Sequence, residues 1–510
     1  MAVTTGVQDL PDEVGSRKAR TWHRDALTSA SIILCQFVQM IPFGAGINSS
    51  LHIAQSLGAP LEEAIWLAAS YPQVFHTLQC LRAVALLTLM ASLTQGTFVL
   101  MGGRVGAVYG HKKAVVVAGI WWSLFHLISG FMRSIVSLSL MRALSGIGAA
   151  FILPNAVALL TTTFPPGKAR NISVGLFGAM APIGAAGGSI FPGFFGQLAP
   201  WWWLFIFLAL LGTVVFALFL FVVPAESEVM DPRGKIDYVG AYFGVAGLFL
   251  FNFVWTQAAI IGWKVPYVYA LLVVSILHFV TFAVWEYKFA PQPIMPMNIW
   301  TSPSFSIMVI SAFVSFMAFG MCLWYVNVWQ THIRHYSLFL NAATFVPLAI
   351  GGAGAAILSA KLVRYLDAQY ILAIGSTATL IALVLVATMP EQQTYWAQVF
   401  PSILIGSMGP DFLFTAAQLI ASGTVKRSQQ GIAGSLIGTV LAYGMATGLG
   451  FAGTVEYYTN DGGRDLVQGY RNGLYLGIGM AVLAIGLSLG FVRIPKDRRE
   501  GWDQDNMPVE

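Results

Sequence analysis

Ser137–Leu160 reads SLSLMRALSGIGAAFILPNAVALL, a run dominated by apolar and small residues and carrying one charge, Arg142. At about 1.5 Å per residue a helix of this length crosses the roughly 30 Å hydrocarbon core of a bilayer. A guanidinium keeps its charge at physiological pH and is costly there, so Arg142 points to a function and to a partner. The plainer alternatives are that it snorkels to the headgroups or locks two helices together.

The rest of the chain has the same character. Of its 510 residues, 57% are hydrophobic and 10% charged, with a mean hydropathy of +0.71. Soluble domains run nearer about 45–50% apolar and about 25% charged. Long apolar runs between short polar loops therefore read as an all-α polytopic membrane protein, with the lipid bilayer as its surroundings. The alternating segments that a β-barrel needs are absent. Cys35, Cys80 and Cys322 lie in apolar runs at unrelated spacings, which gives no metal, redox or disulfide pattern. No cofactor is expected. The formal charge of +5 has no basic stripe with interleaved aromatics, so nucleic acid is not an expected partner.

Fourteen spans can be placed. Residues 1–26 read as a polar cytosolic tail, 27–223 as six spans, 224–303 as a charged linker with two further spans, 304–493 as six more, and 494–510 as a second tail. The stretch 64–109 is awkward: it is apolar for over forty residues but interrupted by Pro72, His76 and Arg82. That is too long for one span and too short for two with a loop. The second span is placed at Leu86–Val108. Alternatively Trp66–Pro72 joins Leu93–Gly106, and residues 73–92 are surplus, either a retained intron or a real insertion.

With the N-terminus inside, 20 of the 27 basic residues fall on cytosolic segments and five on outer loops. Arg82 and Arg142 lie in apolar runs. This bias places both termini in the cytosol. The plasma membrane is the expected location, with the vacuole or another endomembrane as the alternative.

No HExxH, P-loop, GxSxG or histidine-box arrangement occurs, and the eight histidines are scattered. An enzyme or a nucleotide-driven pump is therefore not expected, and energy would come from an ion gradient or from none. The loop after the second span, GGRVGAVYGHKK (Gly102–Lys113), combines glycines that permit a tight turn with basic residues that hold it at the cytosolic face.

Gly103, Arg104, Gly106, Tyr109, Gly110, His111 and Lys112 resemble the signature loop between spans two and three of the major facilitator superfamily. MRALSGIGAA (Met141–Ala150) is similar to its fourth-span arginine motif. FGAMAPIGAAGGSIFPG (Phe177–Gly193), with Gly178, Pro182, Gly184 and Gly188, is similar to the glycine–proline motif of the fifth span in its antiporter branches. Fourteen spans, an extra central pair and GIAGSLIGTV…GLGFAGTVE (Gly431–Glu456) resemble the fungal drug:proton antiporters of the fourteen-span branch. The resemblance covers nearly the whole chain after about residue 25.

It implies the major facilitator fold: two six-helix bundles, spans 1–6 and 9–14, plus two extra central spans. The bundles rock around a central site to give alternating access. The resemblance also implies a small-molecule substrate, protons as the coupling ion and a monomer. Ser359–Gln369, SAKLVRYLDAQ, occupies in the second half the position of the signature loop in the first.

The chain departs from the family in its acids. Ala107 stands where the signature loop normally carries a carboxylate, which should weaken the latch between the halves. Gln36 and Gln39 are the polar groups of the first span, where an acid is usual, and are candidate substrate contacts. No Asp or Glu occurs between Glu63 and Glu226, so Arg142 has no carboxylate partner in spans two to six. One embedded acid remains clear of the membrane interfaces, Asp411, in GSMGPDFLFTAAQ. A carboxyl far from water resists ionisation, which suits a proton carrier. Gly406, Gly409 and Pro410 would loosen the helix just before it. Asp411 and Arg142 are the proton-coupling candidates, and an Asp411–Arg142 pair across the cavity would tie proton and substrate to one charge. Trp324, Tyr325, Asn327, Trp329 and Gln330 on the ninth span are candidate substrate contacts, with an interfacial aromatic belt as the alternative.

The expected function is proton-coupled efflux of small amphipathic molecules such as drugs, toxins or secondary metabolites. The alternatives are an uptake permease or facilitator for a small polar solute or anion, and a non-transporting sensor.

Overall fold

In hydrocarbon every backbone N–H and C=O must be satisfied within the segment, and apolar runs of this length do so as helices. The computed structural model describes residues 11–57, 94–225, 231–295, 300, 303–424 and 430–496. The first half comprises α1 (Pro11–Ser56), α2 (Thr94–Tyr109), α3 (His111–Phe131), α4 (Ile135–Thr163), α5 (Lys168–Leu198) and α6 (Trp202–Val222). A central pair follows, α7 (Tyr238–Ile261) and α8 (Pro266–Lys288). The second half holds α9 (Pro303–Val328), the short α10 (Leu338–Thr344), α11 (Val346–Leu362) and α12 (Ala368–Ala387). It ends with α13 (Val399–Gly406), α14 (Met408–Thr424), α15 (Gln430–Thr459) and α16 (Leu466–Phe491).

Thirteen helices among the described residues are long and apolar enough to cross a membrane. The helix Thr94–Tyr109 is the described part of the second span. The expected start of that span at Leu86, and the surplus segment 73–92, lie outside the described residues. Several boundaries differ from expectation, among them two helix starts. The first helix begins at Pro11, inside the polar stretch read as a tail, because nothing between Pro11 and Pro42 breaks it. The twelfth span begins at Val399, not Trp396, and is interrupted at Ser407.

Helices α1 to α6 pack on one another, as do α9 to α16, giving two bundles. One apolar core gathers Ile41, Trp122, Ile152 and Phe216; two others gather residues such as Met308 and Phe412, and Tyr325 and Leu474. The bundles meet along two seams, α5 against α11 and α14, and α2 against α15. The α7–α8 hairpin lies against α15 and α2, alongside the second seam.

Small residues allow these helices to approach. A Cβ on Gly184 would come within 2.6 Å of the Phe37 carbonyl, and one on Gly188 would collide with the Ile41 carbonyl. This glycine face seats α5 against α1, as small-residue interfaces do in membranes. The opposite face of α5 meets the other bundle, with Gly178 against Thr415 and Pro182 against Gly352.

Candidate functional site

A cavity of about 180 Å³ lies between the bundles. Its walls include Met40 and Phe43 of α1, Pro182 of α5, Phe319 of α9, Phe414 of α14 and Met445 of α15. They are overwhelmingly apolar. Gln36 and Asp411 are the polar side chains that line it.

Asp411 is placed by the broken twelfth span. The helix stops at Gly406 and restarts at Met408, so Asp411 falls in the first turn of α14. Counted from Val399 it lies about 18 Å along the helix direction, well inside the bilayer. The side chain is 4% exposed. Its carboxylate faces α11, where a Cβ on Gly352 would lie 2.5 Å from Oδ2 and 2.6 Å from Cγ of Pro182. Three helices from both bundles thus converge on this carboxyl. Among the described residues it has no hydrogen-bond or ion-pair partner. An unpaired carboxylate in an apolar wall is costly.

Gln36 and Gln39 sit one turn apart on α1, and the Gln39 amide donates to the Gln36 side-chain oxygen. Both are buried, and Gln36 presents the pair to the cavity.

Arg142 is 2% exposed. Its guanidinium lies 5.8 Å above the Phe205 ring of α6, and it neighbours His126 of α3, which stacks on Trp122. It does not line the cavity, and it forms no ion pair with Asp411. The two proton-coupling candidates are therefore in different surroundings.

The ninth-span aromatics and amides also lie off the cavity wall, whose α9 contribution is Phe316, Phe319 and Leu323. Tyr325 is fully buried and donates to Glu456 at 3.1 Å. Asn341 donates to Asn327 at 2.7 Å, and Arg334 donates to Gln330 at 3.4 Å. Trp329 donates to the Glu391 carbonyl, while Trp324 packs near Ala259 and Leu449. Helix rotation turns these residues away from the cavity, Trp324 toward α7 and the others into the second bundle.

The signature loop is held from two sides. Gly110, at φ 100°, makes the turn between α2 and α3, a conformation that favours glycine. Asn155 of α4 donates to the Gly102 carbonyl at 2.9 Å and bonds to His111 at 2.7 Å, while Gly106 leaves room for both side chains. Lys112 donates to the Val223 carbonyl at 2.6 Å. Arg104, 7% exposed, reaches the linker between the first bundle and α7. It donates to Asp231 at 2.8 Å, to Gln292 at 2.8 Å and to the Lys235 carbonyl at 3.2 Å. The Asp231 amide in turn donates to the Ala107 carbonyl at 3.0 Å. A carboxylate therefore reaches this loop although Ala107 cannot supply one.

Asn155, Asp231 and Glu456 had no place in the sequence reading. A polar Asn in the apolar fourth span was a usable signal for the first. The reach of Asp231 across the chain was not legible. Glu456 lay beyond the expected end of its span, which extends to Thr459.

Residues 32–449 match the Major Facilitator Superfamily. The low affinity ammonium transporter of Saccharomyces cerevisiae is 38% identical over 403 residues, 77% of this chain and 78% of that protein. The efflux pump terJ of Aspergillus terreus is 34% identical over 410 residues, 78% of each. The human organic anion transporter MFSD10 shares the fold at a TM-score of 0.62 and 12% identity, with 91% of this chain and 99% of that one covered. With two bundles around a central cavity and a family match over most of its length, the chain belongs to the Major Facilitator Superfamily of membrane transporters.

Proposed function

We propose that the protein is a proton-coupled exporter of small amphipathic molecules, weakly basic ones foremost, working by alternating access. The observation that carries this reading is the Asp411 carboxyl, without a partner among the described residues, in an apolar cavity between the bundles. A carboxyl so placed is most stable when it holds either a proton or a cationic group, and binding one excludes the other. That exclusivity is the minimum requirement of an antiporter. The apolar walls bind the body of the solute, and Gln36 offers it one polar contact. Arg142 acts inside the first bundle as a packing anchor, and coupling rests on Asp411.

A second reading is favoured by size. The cavity, about 180 Å³, is smaller than the roughly 300 Å³ at which drug-sized pockets begin. An ammonium-sized cation fits it, and the ammonium transporter is the more similar of the two relatives named. On this reading the protein carries small cations down their gradient.

Proteoliposomes with an acid lumen separate the two readings. Wild-type protein should accumulate ethidium inside only while the pH gradient lasts, and Asp411→Asn should not. Uphill ethidium uptake by Asp411→Asn would overturn the assignment of coupling to this residue. Movement of tetramethylammonium down its gradient at equal pH, with no ethidium uptake, would replace the exporter with the facilitator.

A further inference from the structure

The face of α14 that carries Asp411 continues beyond the cavity with two further polar side chains. Thr415 lies one turn after Asp411 and Gln418 two turns after it, and both are closed off from solvent, at 0% and 1% exposure. Steps of four and then three residues keep all three on one side of a helix. The positions between them are apolar.

Neither side chain has its polar atoms fully matched. Among the described residues, Thr415 Oγ1 and Gln418 Oε1 have no hydrogen-bond partner. The Gln418 amide donates to the Gly434 carbonyl of α15 at a long 3.4 Å. The surroundings come from both bundles. A Cβ on Gly178 of α5 would lie 3.0 Å from the Thr415 hydroxyl oxygen. One on Gly434 would lie 3.7 Å from Gln418 Oε1 and 3.6 Å from the Pro154 carbonyl of α4. The polar line thus leaves the cavity along the contact between the bundles. It runs toward Thr424, the end of α14 that the charge bias assigns to the cytosol.

Packing gives no reason for these residue types. A buried polar atom left unmatched is costly, and Val and Leu, close in shape, would fill the same space without that cost. The spacing suits water instead. Cβ atoms one turn apart on a helix stand about 5–6 Å from each other. A water bonded to two oxygens spans about 5.6 Å, twice the usual separation of about 2.8 Å. Single waters therefore fit between Asp411 and Thr415 and between Thr415 and Gln418. We propose that Thr415 and Gln418 hold a short file of water along which protons pass between the Asp411 carboxyl and the cytosolic side. This rests on the reading of Asp411 as the proton-carrying group and gives the other two a positioning role. Each transfer moves one proton from oxygen to oxygen, so only O–H bonds form and break and no co-reactant is required.

The test follows hydrogen–deuterium exchange at the Asp411 carboxyl by infrared spectroscopy, on the full-length protein in liposomes at acid pH. The carboxyl band is identified by its loss in Asp411→Asn, and it shifts when D2O replaces H2O. Thr415→Val/Gln418→Leu should slow that shift by about tenfold or more, as when a barrier loses a hydrogen-bonded relay. Thr415→Ser, which keeps the hydroxyl, should exchange at the wild-type rate. The unfolding midpoint of the double variant should hold or rise, since two unmatched polar atoms are gone. Residues that merely pack the seam would show the reverse, a lower midpoint with exchange unchanged. If the double variant does not fold, Thr415→Val, nearly the same shape as the wild type, takes its place. Equal exchange in the wild type and the variants would mean that protons reach Asp411 through the cavity, and overturns the path. Exchange does not require transport, so that result is distinct from failure of the exporter reading, which a wild type without uphill ethidium uptake would show.

Discussion

Arg104 of the signature loop donates to Asp231 of the central linker at 2.8 Å, across 127 positions of the chain. The pair joins the α2–α3 turn to the segment that introduces the extra helices. It brings a carboxylate to a loop whose own acidic position is Ala107. Asp231→Ala should leave the buried guanidinium with only neutral acceptors, Gln292 and the Lys235 carbonyl. A loss of about 1–3 kcal/mol is expected, as for a buried charge deprived of its hydrogen-bonded partner. Trypsin should then cleave the linker at Arg233 faster than in the wild type. Equal cleavage rates and an unchanged unfolding midpoint would show that the pair does not hold the linker.

Neighbouring glycines of α5 make a paired prediction. Gly188 faces the Ile41 carbonyl, whereas a Cβ on Gly187 meets nothing within 4 Å. Gly188→Ala should push α1 away and destabilise by about 1–3 kcal/mol through overpacking. Gly187→Ala should be neutral or stabilising by up to about 1 kcal/mol, since Ala loses less freedom in a helix. Thermal unfolding of the two variants side by side decides it, and equal midpoints would refute the glycine-face packing.

Gly352→Ala tests the surroundings of Asp411. The added methyl would lie 2.5 Å from the carboxylate and 2.6 Å from Pro182, so α11 must shift. Transport should fall at least as steeply as stability, because the shift moves the cavity wall. A variant that transports normally would mean that the contact is not kept through the transport cycle.

Asn155→Leu removes the bonds to the Gly102 carbonyl and to His111. Each group then loses one hydrogen bond inside the bundle, at an expected total cost of about 1–3 kcal/mol. Ser at this position should recover part of the loss. The check is the unfolding midpoint of the Leu and Ser variants in detergent; no difference between them would refute the hydrogen-bonding role.

The helical architecture was legible because a bilayer leaves the backbone few choices and because charges mark loops. Asp411 was legible for the same reason: an acid in an apolar run stands out. The facing of Arg142 was not, since α4 is apolar nearly all round and buried on most of its surface, so no polar face reveals its orientation. Trp324, Tyr325, Asn327 and Gln330 have the right chemistry for a substrate, but helix rotation decided their neighbours. The Arg104–Asp231 contact depends on how a linker folds back, which no local pattern encodes.

The α7–α8 hairpin covers the α2–α15 seam and leaves the α5–α11 seam without a counterpart. The two routes from the lipid phase toward the cavity are thus unequal. On the covered side a solute dissolved in the acyl chains meets a second layer of helix, while the other side presents α5 and α11 directly, with Ile350 and Leu358 turned outward. The protein therefore presents the lipid phase with one shielded flank and one open one.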